Sequence, residues 1–288
     1  MPAGPDNWRS LLAAGRTRLE QAGVAEASNK LNWVAGHLLK CGLLDVLRHL
    51  DDFPAAGQAE AFAAAVARLE RDEPVQYVIG ETDFMGLPIR CDARALIPRP
   101  ETEELAAAAA EFLAACPGRP VAVDACTGTG CIACALARRV PRARIRATDI
   151  SAAALALARS NAQALGAAVE FRQADLLEGL PDGSADLVVA NPPYVASAVC
   201  DRLDRTVRDF EPRLALDGGP DGLRVISRLV SGAARVLTSG GRLMLEIGDD
   251  QAEAVMELLC QTPLFMKTCL RSDSGKHPRV VITARRPR

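Results

Sequence analysis

The chain has 288 residues, of which 49% are hydrophobic but 4% aromatic, and a formal net charge of -2. This length allows one large domain or a small and a medium one, and the balanced charge lacks the cationic surplus expected of a protein that follows a phosphate backbone, so direct binding of nucleic acid is not expected. The absence of a signal-peptide pattern, the absence of a long apolar run and nine irregularly spaced cysteines together predict a cytoplasmic protein without membrane segments or a disulfide framework.

Residues 1–75 are predicted to form a small helical bundle. The i, i+3, i+4, i+7, i+8 spacing of one buried helix face is followed by Leu31, Val34, Ala35, Leu38 and Leu39. The same pattern predicts a second buried face from Leu43, Val46, Leu47 and Leu50. A further helix is expected over residues 59–70. Such a bundle either serves only its own core or holds a macromolecular partner.

Residues 76–98 are predicted to be a β-hairpin linker between two domains. Short strands are expected around Gly80 and Gly86, from the apolar residues Val75, Tyr77, Val78, Ile79, Phe84, Met85, Leu87 and Ile89. A long helix then begins near Pro100, because proline suits the first helical position and Glu101, Glu103 and Glu104 favour a helix N-terminus.

Residues 99–288 alternate between strands and helices. Strands are predicted at 121–124, 144–149, 168–173, 185–190, 242–247, 265–270 and 280–284, and helices at about 130–139, 152–165, 222–238 and 249–260. Ser151 and Gly166 are expected to cap the helix over 152–165. This order predicts an α/β fold with a doubly wound, mostly parallel sheet, whose last two strands pair antiparallel.

Ligands of such sheets bind beyond the carboxyl ends of the strands. The first strand leads into a glycine-rich turn that precedes a helix N-terminus, formed by Cys126, Thr127, Gly128, Thr129 and Gly130. The second strand ends at Asp149, at the distance typical of an acid that holds a ribose diol. After the third strand, Asp175 is a candidate acceptor for an adenine amino group, and Leu176 is a candidate cover for the ring. The pattern predicts a cofactor that contains adenosine without identifying it.

Two other ligands are compatible with this turn. A dinucleotide such as NAD is disfavoured but not excluded, because Ala133 stands where the third glycine of the usual fingerprint would be. Cys126, Cys131 and Cys134 have the spacing of a plant-type iron–sulfur site. We expect them instead to be a small loop residue and two buried helix residues, so no metal is predicted.

The fourth strand leaves through Asn191-Pro192-Pro193-Tyr194, next to the glycine-rich turn in the usual strand order. The Asn191 side-chain oxygen and the proline carbonyls are acceptors on a stiff backbone, and Tyr194 adds a flat surface. These groups suit a planar –NH₂ group. Accepting its N–H bonds outside the amide plane would favour a pyramidal nitrogen whose lone pair points at an electrophile. The alternative is a rigid strand exit without catalytic function.

The motifs resemble those of a known family. Asn191-Pro192-Pro193-Tyr194 is similar to motif IV of S-adenosylmethionine-dependent amino-methyltransferases. The remaining motifs resemble the release-factor glutamine N5-methyltransferases over nearly the whole chain; they are Glu73–Gly80, Leu96–Leu105, Asp217–Leu223, Leu245–Gly248 and Gly275–Val281. One departure is Cys126, where that family more often has glycine and where a sister family that methylates a ribosomal protein commonly has cysteine.

The resemblance implies a Rossmann-like class I methyltransferase fold and transfer of methyl from S-adenosylmethionine to the glutamine of the Gly-Gly-Gln motif in class I peptide chain release factors. It assigns residues 126–130, Asp149 and Leu176 to the cofactor, with Asp175 and Asn191 beside them. Asn191 and Pro192 would hold the substrate amide, with Pro193 and Tyr194 packing around it. The helical domain would hold the release factor. A monomer is expected, and no catalytic role is expected for His37, His49 and His277.

Other functions remain open at this point. They are methylation of a ribosomal protein, methylation of an exocyclic amine in nucleic acid, oxidoreduction with a nucleotide cofactor, and non-catalytic binding. An oxidoreductase leaves Asn191-Pro192-Pro193-Tyr194 unexplained, and intact Asn191 and Asp149 disfavour a binding module. Glu246 ends a strand near the expected site, but the sequence assigns it no role.

Overall fold

The computed structural model describes residues 7–273 and 275–287. They form two compact units. One unit takes in the chain up to Glu81 together with Asp204–Phe210, and the other takes in Thr82–Leu203 and the chain from Glu211 onward. We call them the helical unit and the sheet unit. Within the described residues, no helix is both long and apolar enough to cross a membrane.

The helical unit contains four helices from the first part of the chain: α1 (Trp8–Gln21), α2 (Ala27–Leu39), α3 (Gln58–Leu69) and α4 (Val75–Ile79). The predicted buried face of α2 is confirmed at Leu31, Val34 and Ala35. At the centre of the core, Trp8 and Phe62 pack edge to face with ring centroids 5.7 Å apart. The unit therefore has a hydrophobic core of its own.

The segment after α2 does not bury the predicted second face. It forms a 3-10 helix, Asp45–His49, in which Val46 is buried but Leu47 is 63% exposed. Leu43 and Leu44 are 46% and 82% exposed. A 3-10 helix has three residues per turn, so residues four apart no longer share a face as they would in an α-helix.

Residues 75–79 were predicted as a strand, and this prediction is wrong because they form α4. The Pro74 carbonyl accepts from the backbone N–H groups of Tyr77 and Val78 at 2.9 and 3.0 Å, and Gly80 ends the helix with a φ of 88°. The Arg68 guanidinium donates to the carbonyls of Tyr77 and Val78. These local bonds satisfy backbone groups that a strand would have paired with a neighbour.

The rest of the chain follows the predicted alternation, with β4, β6 and α7 at the predicted bounds. In chain order, the elements are β1 (Glu81–Phe84), β2 (Leu87–Arg90), α5 (Pro100–Ala115), β3 (Val121–Ala125), α6 (Cys131–Arg139), β4 (Arg144–Asp149), α7 (Ala152–Leu165), β5 (Val169–Gln173), β6 (Ala185–Ala190), β7 (Val195–Ala196), α8 (Ser197–Cys200), α9 (Arg205–Arg208), β8 (Asp217–Gly219), α10 (Arg224–Val236), β9 (Leu237–Glu246), α11 (Ala252–Cys260), β10 (Phe265–Ser272) and β11 (Pro278–Arg285). A 3-10 helix lies at Arg213–Ala215. Of these elements, α9 lies in the helical unit.

The main sheet has seven strands in the order β10-β11-β9-β6-β3-β4-β5. Strands β9, β6, β3, β4 and β5 are parallel, and β11 and β10 pair antiparallel, as predicted. The mixed, doubly wound sheet is confirmed. Ala125 at the end of β3 pairs with Thr148 of β4 and with Ala190 of β6. The loops that follow these three strands therefore emerge side by side.

Both faces of the sheet are buried. Along β6, Leu187 and Val189 join a core with α5 and α6, while Val188 and Ala190 join a core with α10 and α11. All four side chains are fully buried. A strand that is buried on both faces has a continuous apolar sequence. The end of β6 can therefore be predicted from the place where its apolar run stops.

Candidate active site

A cavity of about 290 Å³ opens at the carboxyl ends of β3, β4 and β6. Its lining comes from the sheet unit and includes the turn after β3, Asp149 after β4, and Asn191 and Pro193 after β6. Asp175, Leu176 and the segments at 94–99 and 212–217 complete the wall. The predicted cofactor residues and the predicted asparagine turn therefore meet at one cavity.

The turn between β3 and α6 is compact. Thr127 N donates to the Thr148 carbonyl at 3.0 Å, and Gly130 N donates to the Thr127 carbonyl at 2.8 Å. Gly130 has a φ of +80°, and a Cβ there would lie 3.0 Å from the Cβ of Ala158. Gly128 also has a positive φ, +55°. The two glycines are thus needed for backbone conformation and, at Gly130, for the approach of α7.

Asp124 at the end of β3 anchors this turn, a role that was not predicted from the sequence. It is fully buried, and its Oδ2 accepts from Thr127 Oγ1 at 2.6 Å and from Ala133 N at 3.1 Å. Its Oδ1 has no hydrogen-bond partner within the described part of the chain. Burial raises the pKa of Asp124 to about 7. The signal available in the sequence was an acid at the end of an apolar strand, just before a glycine-rich turn.

Asp149 lies where the sequence predicted it, with both oxygens already engaged. Its Oδ2 accepts from Gly128 N at 2.9 Å, and its Oδ1 accepts from Ser151 N at 2.9 Å. Burial raises its pKa, and these backbone hydrogen bonds oppose the rise. Each carboxylate oxygen has a second lone pair, so the side chain can brace the turn and still accept from a ligand.

Asp175 and Leu176 line the next part of the cavity. Asp175 is paired with Arg228 of α10, whose Nη2 lies 2.7 Å from its Oδ2, so the predicted acceptor has a cationic partner. Leu176 has a φ of 54°, and its carbonyl accepts from Thr148 Oγ1 at 2.7 Å. The loop that presents both side chains is therefore fixed to the end of β4.

On the other side of the cavity, Asn191 is linked to two residues far away in the chain. Its Nδ2 lies 3.1 Å from the Oγ1 of Thr102 in α5, and that Oγ1 lies 2.6 Å from Oε2 of Glu246 at the end of β9. The Tyr194 hydroxyl donates to Oε1 of Glu246 at 3.3 Å. Thr102 and Glu246 are 2% and 1% exposed. Burial raises the pKa of Glu246, while the Thr102 and Tyr194 hydroxyls favour its ionised form.

The backbone of the asparagine turn is held by the Asp217–Leu223 motif. A Cβ on Gly218 would lie 2.7 Å from the carbonyl oxygen of Pro193, and one on Gly222 would lie 2.2 Å from that of Tyr194. The Tyr194 carbonyl also accepts from Gln251 Nε2 at 2.9 Å. Within the described residues, Pro192 and Tyr194 do not line the cavity wall, whereas Asn191 and Pro193 do.

The segment before α5 is fixed by Glu211, a second residue whose structural role was not predicted from the sequence. Glu211 is 4% exposed, accepts from Ile97 N at 3.0 Å and pairs with Arg99. Burial raises its pKa, and Arg99 opposes the rise. Glu211 stands alone in a loop without periodicity, so no pattern in the sequence indicates its role.

Two of the three cysteines with iron–sulfur spacing, Cys126 and Cys131, line the cavity, and Cys134 is buried. Cys126 has a φ of 57°, the region that favours glycine. In the described residues, no cluster of three or more histidine, cysteine, aspartate or glutamate side chains is arranged to hold a metal ion. Burial raises the pKa of the Cys126, Cys131 and Cys134 thiols, which keeps them protonated.

Comparisons with known proteins agree with this geometry. The family described as Methyltransferase small domain matches residues 107–261, and the PrmC N-terminal domain matches residues 10–80. The chain is 40% identical to the release factor glutamine methyltransferase of Moorella thermoacetica, covering 96% of this chain and 98% of that one. It is 36% identical to the protein of the same name from Geobacter sulfurreducens, covering 91% and 92%.

The chain also resembles a solved structure. A methyltransferase from Pyrococcus furiosus superposes with a TM-score of 0.51 at 18% identity, covering 70% of this chain and 90% of that one. At this identity the likeness concerns the fold alone.

Proposed function

The chain belongs to the release factor glutamine methyltransferase family, and from this premise we propose that it methylates the side-chain amide nitrogen of the glutamine in the Gly-Gly-Gln motif of class I peptide chain release factors. The observation that carries the proposal is the position of Asn191, at the wall of the same cavity as the glycine-rich turn. An acceptor for amide N–H groups thus faces the place where a methyl donor would bind.

S-adenosylmethionine fits the residues on the glycine side of the cavity. The backbone of Cys126–Gly130 leaves room for a ligand, and Asp149 keeps lone pairs for ribose hydroxyls beyond the bonds it already makes. Leu176 would cover the adenine ring, and Asp175, held by Arg228, would accept from its amino group. When bound, the cofactor supplies an electrophilic methyl group. The product cofactor would be S-adenosylhomocysteine.

The residues on the asparagine side of the cavity would act on the amide nitrogen of the substrate glutamine. An amide nitrogen is a poor nucleophile because its lone pair is delocalised into the carbonyl group. Asn191 Oδ1 at the cavity wall would accept one N–H bond and the Pro192 carbonyl the other, with Pro193 and Tyr194 confining the amide. Because Pro192 and Tyr194 do not line the wall in this structure, we expect their contacts to form only when the substrate amide binds. These bonds strengthen as the nitrogen becomes pyramidal, so they favour the transition state over the ground state. The methylated nitrogen then loses its proton to water, and a side-chain base is not required.

The helical unit would hold the release factor. It exposes apolar side chains in one short stretch, with Leu43, Leu44, Leu47 and Phe53 at 46%, 82%, 63% and 63%. Exposed apolar residues in one stretch are typical of a surface that binds another protein. This use would also explain why Leu43 and Leu47 stay exposed although Val46 between them is buried in the core.

The partner surface can be tested with the variant Leu44→Glu/Leu47→Glu. We expect the KM for an intact release factor to rise by about fivefold or more, as for truncation of a contributing interface residue, with unchanged cofactor affinity. The matched control is Leu264→Glu in the sheet unit, where the leucine is 46% exposed. Equal KM values for the double variant and the control would contradict the docking role.

The function itself is tested with labelled S-adenosylmethionine and four separate acceptors: an intact release factor, the same factor with alanine in place of the motif glutamine, ribosomes and DNA. We expect label in the intact release factor and in none of the others. Label in ribosomal protein or DNA, with none in the release factor, would replace the proposed substrate by one of those classes. Mass spectrometry of the tryptic peptide would locate the methyl group.

A further inference from the structure

Two of the motifs that carry the family resemblance have no function in the mechanism above. Leu96–Leu105 contains Thr102, and Leu245–Gly248 contains Glu246. The two motifs meet at Asn191 through hydrogen bonds between Thr102, Glu246 and the asparagine amide. We propose that Thr102 and Glu246 are positioning residues that fix the orientation of the Asn191 amide, so that its oxygen and not its nitrogen faces the substrate. The proposal rests on the proposed function for the identity of the substrate amide.

The direction of the hydrogen bonds follows from a count of protons. Thr102 Oγ1 and Glu246 Oε2 are 2.6 Å apart, the distance typical of a hydroxyl that donates to a carboxylate. A threonine hydroxyl has one proton, so its other contact must be one that it accepts. The Asn191 atom that lies 3.1 Å from it must therefore be the amide nitrogen. The Asn191 oxygen then points away from Thr102.

Glu246 is placed to direct Thr102 and is poorly placed to act as a base. Both of its oxygens are engaged, one by Thr102 and the other by the Tyr194 hydroxyl. It is 1% exposed and does not line the cavity within the described residues. Ala190 of β6 pairs in register with Leu245 of β9, so the next residues of the two strands, Asn191 and Glu246, are held by the sheet itself.

The orientation matters because the substrate group is a donor. An Asn191 amide turned by 180° would present its own –NH₂ to the substrate –NH₂, and neither group could accept from the other. Such a turn would also place an oxygen against the lone pairs of Thr102 Oγ1, whose proton is committed to Glu246. The link thus disfavours the unproductive orientation on both sides of the amide.

The test uses Thr102→Val, which keeps the shape and removes the hydroxyl, and Thr102→Ser, which keeps the hydroxyl. Glu246→Gln is a second variant that removes the charge while keeping the size. The matched control is Thr283→Val, because Thr283 is also 1% exposed and hydrogen-bonded but lies on β11 with Thr268 and Met266 as partners. Two quantities are measured: the nuclear magnetic resonance signal of the Asn191 side-chain amide, and single-turnover methylation of a release factor.

The Asn191 signal is identified in protein with isotope-labelled asparagine as the one that Asn191→Asp lacks, so this readout needs no substrate. We expect Thr102→Val and Glu246→Gln to shift it, and Thr102→Ser and Thr283→Val to leave it near the wild-type position. The transfer rate of Thr102→Val should fall about tenfold, the value of one lost hydrogen bond, with cofactor affinity within about twofold. Thr102→Ser should recover most of the rate.

The outcomes separate this proposal from the proposed function. An unchanged Asn191 signal in Thr102→Val overturns the positioning role, whatever the activity. A shifted signal with an undiminished transfer rate overturns it as well, because the orientation would then not matter for catalysis. If the wild-type protein does not methylate the release factor, the proposed function fails, while the amide signal still decides whether Thr102 and Glu246 hold Asn191. A rate loss in Thr283→Val equal to that in Thr102→Val would assign the loss to general destabilisation and overturn the proposal.

Discussion

Around Asp124 and Asp149, at the glycine-rich turn of the cavity, side-chain hydrogen bonds join residues at most 21 positions apart, whereas around Asn191, on the other side, they join residues far apart in the chain. Asp149 accepts from residues 21 and 2 positions away, and Asp124 accepts from residues 3 and 9 positions away. Asn191 and Thr102 are 89 positions apart, and Thr102 and Glu246 are 144 apart.

The difference indicates that the two sides have different functions, binding of the cofactor at the glycine-rich turn and orientation of a catalytic group at Asn191. A ligand-binding turn built from local bonds forms with its strand and helix and needs little from the rest of the chain. A group that must be oriented within a few tenths of an ångström needs support from several directions, which only packed elements of the whole sheet unit provide. We therefore expect changes on the glycine side to alter cofactor affinity, and changes on the asparagine side to alter the rate of transfer.

The largest effect is expected for Asn191→Ala. It removes a preorganised acceptor whose hydrogen bond strengthens in the transition state. The free-energy barrier to methyl transfer should therefore rise by about 3–4 kcal/mol, which lowers the transfer rate a few hundredfold or more. The affinity for S-adenosylmethionine should change little. Single-turnover transfer and calorimetric titration measure the two quantities. Asn191→Asp keeps the size and an acceptor oxygen but adds a negative charge, and it should also transfer slowly.

If both Asn191 variants fold and transfer at near-normal rates, the asparagine is a structural turn residue and the proposed mechanism is wrong. A loss of cofactor affinity equal to the loss of rate would instead break the distinction between the two sides of the cavity.

The next largest effect is expected for Asp149→Ala, which should show the opposite profile. Loss of a charge-assisted hydrogen bond to the ribose should weaken cofactor binding by about 1.5–3 kcal/mol. Calorimetric titration of the folded variant measures this, with Asn191→Ala as the matched control that should bind normally. Unchanged affinity would show that Asp149 only braces Gly128 and Ser151.

The same distinction between near and distant contacts explains what the sequence could predict. The alternation of strands and helices along the chain, the turn after β3, the place of Asp149 at the end of β4 and the Ser151 cap at Ala154 N all depend on local patterns, and the structure has each of them. The positions of Thr102 and Glu246 beside Asn191 depend on how α5 and β9 pack in three dimensions, and no spacing along the chain encodes this.

The errors have a related cause. Residues 75–79 are rich in strand-forming apolar residues, yet Pro74, Gly80 and the Arg68 side chain favour one turn of helix. Arg68 belongs to a different element, so its effect on this segment is not visible locally. Glu211 was missed for the same reason, because its partners Ile97 and Arg99 lie more than 100 positions away.

A third prediction concerns the pH dependence of stability on the glycine side. Asp124 has a folded-state pKa of about 7 against an ordinary value of 3.8. The folded protein therefore keeps this proton when the unfolded chain has lost it, so the free energy of unfolding should fall as pH rises from about 4 to about 7, with a slope of at most about 1.4 kcal/mol per pH unit from this group. Above that range its contribution should be constant.

Urea unfolding at several pH values, with wild type and Asp124→Asn, measures this slope. The variant should lack the part that Asp124 contributes and should be relatively more stable near pH 8. Asp182→Asn is the control, since that side chain is 72% exposed, and it should keep the wild-type slope. Parallel curves for Asp124→Asn and wild type would contradict the assignment.

The smallest effect is expected at Cys126, in the glycine-rich turn, and concerns stability. Cys126 adopts a φ of 57°, which costs an L-residue about 1–2 kcal/mol, while glycine takes it freely but loses about 0.5–1 kcal/mol more chain entropy on folding. Cys126→Gly should therefore stabilise the protein by about 0.5–1 kcal/mol. Cys126→Ala removes the thiol but keeps the Cβ, so it should not share the gain. Thermal unfolding of both variants separates backbone strain from the chemistry of the sulfur. If the alanine variant is stabilised as much as the glycine variant, the cost lies in burying the thiol at the cavity wall. If neither is stabilised, the turn carries no strain at this position, and cysteine is as well suited to it as glycine.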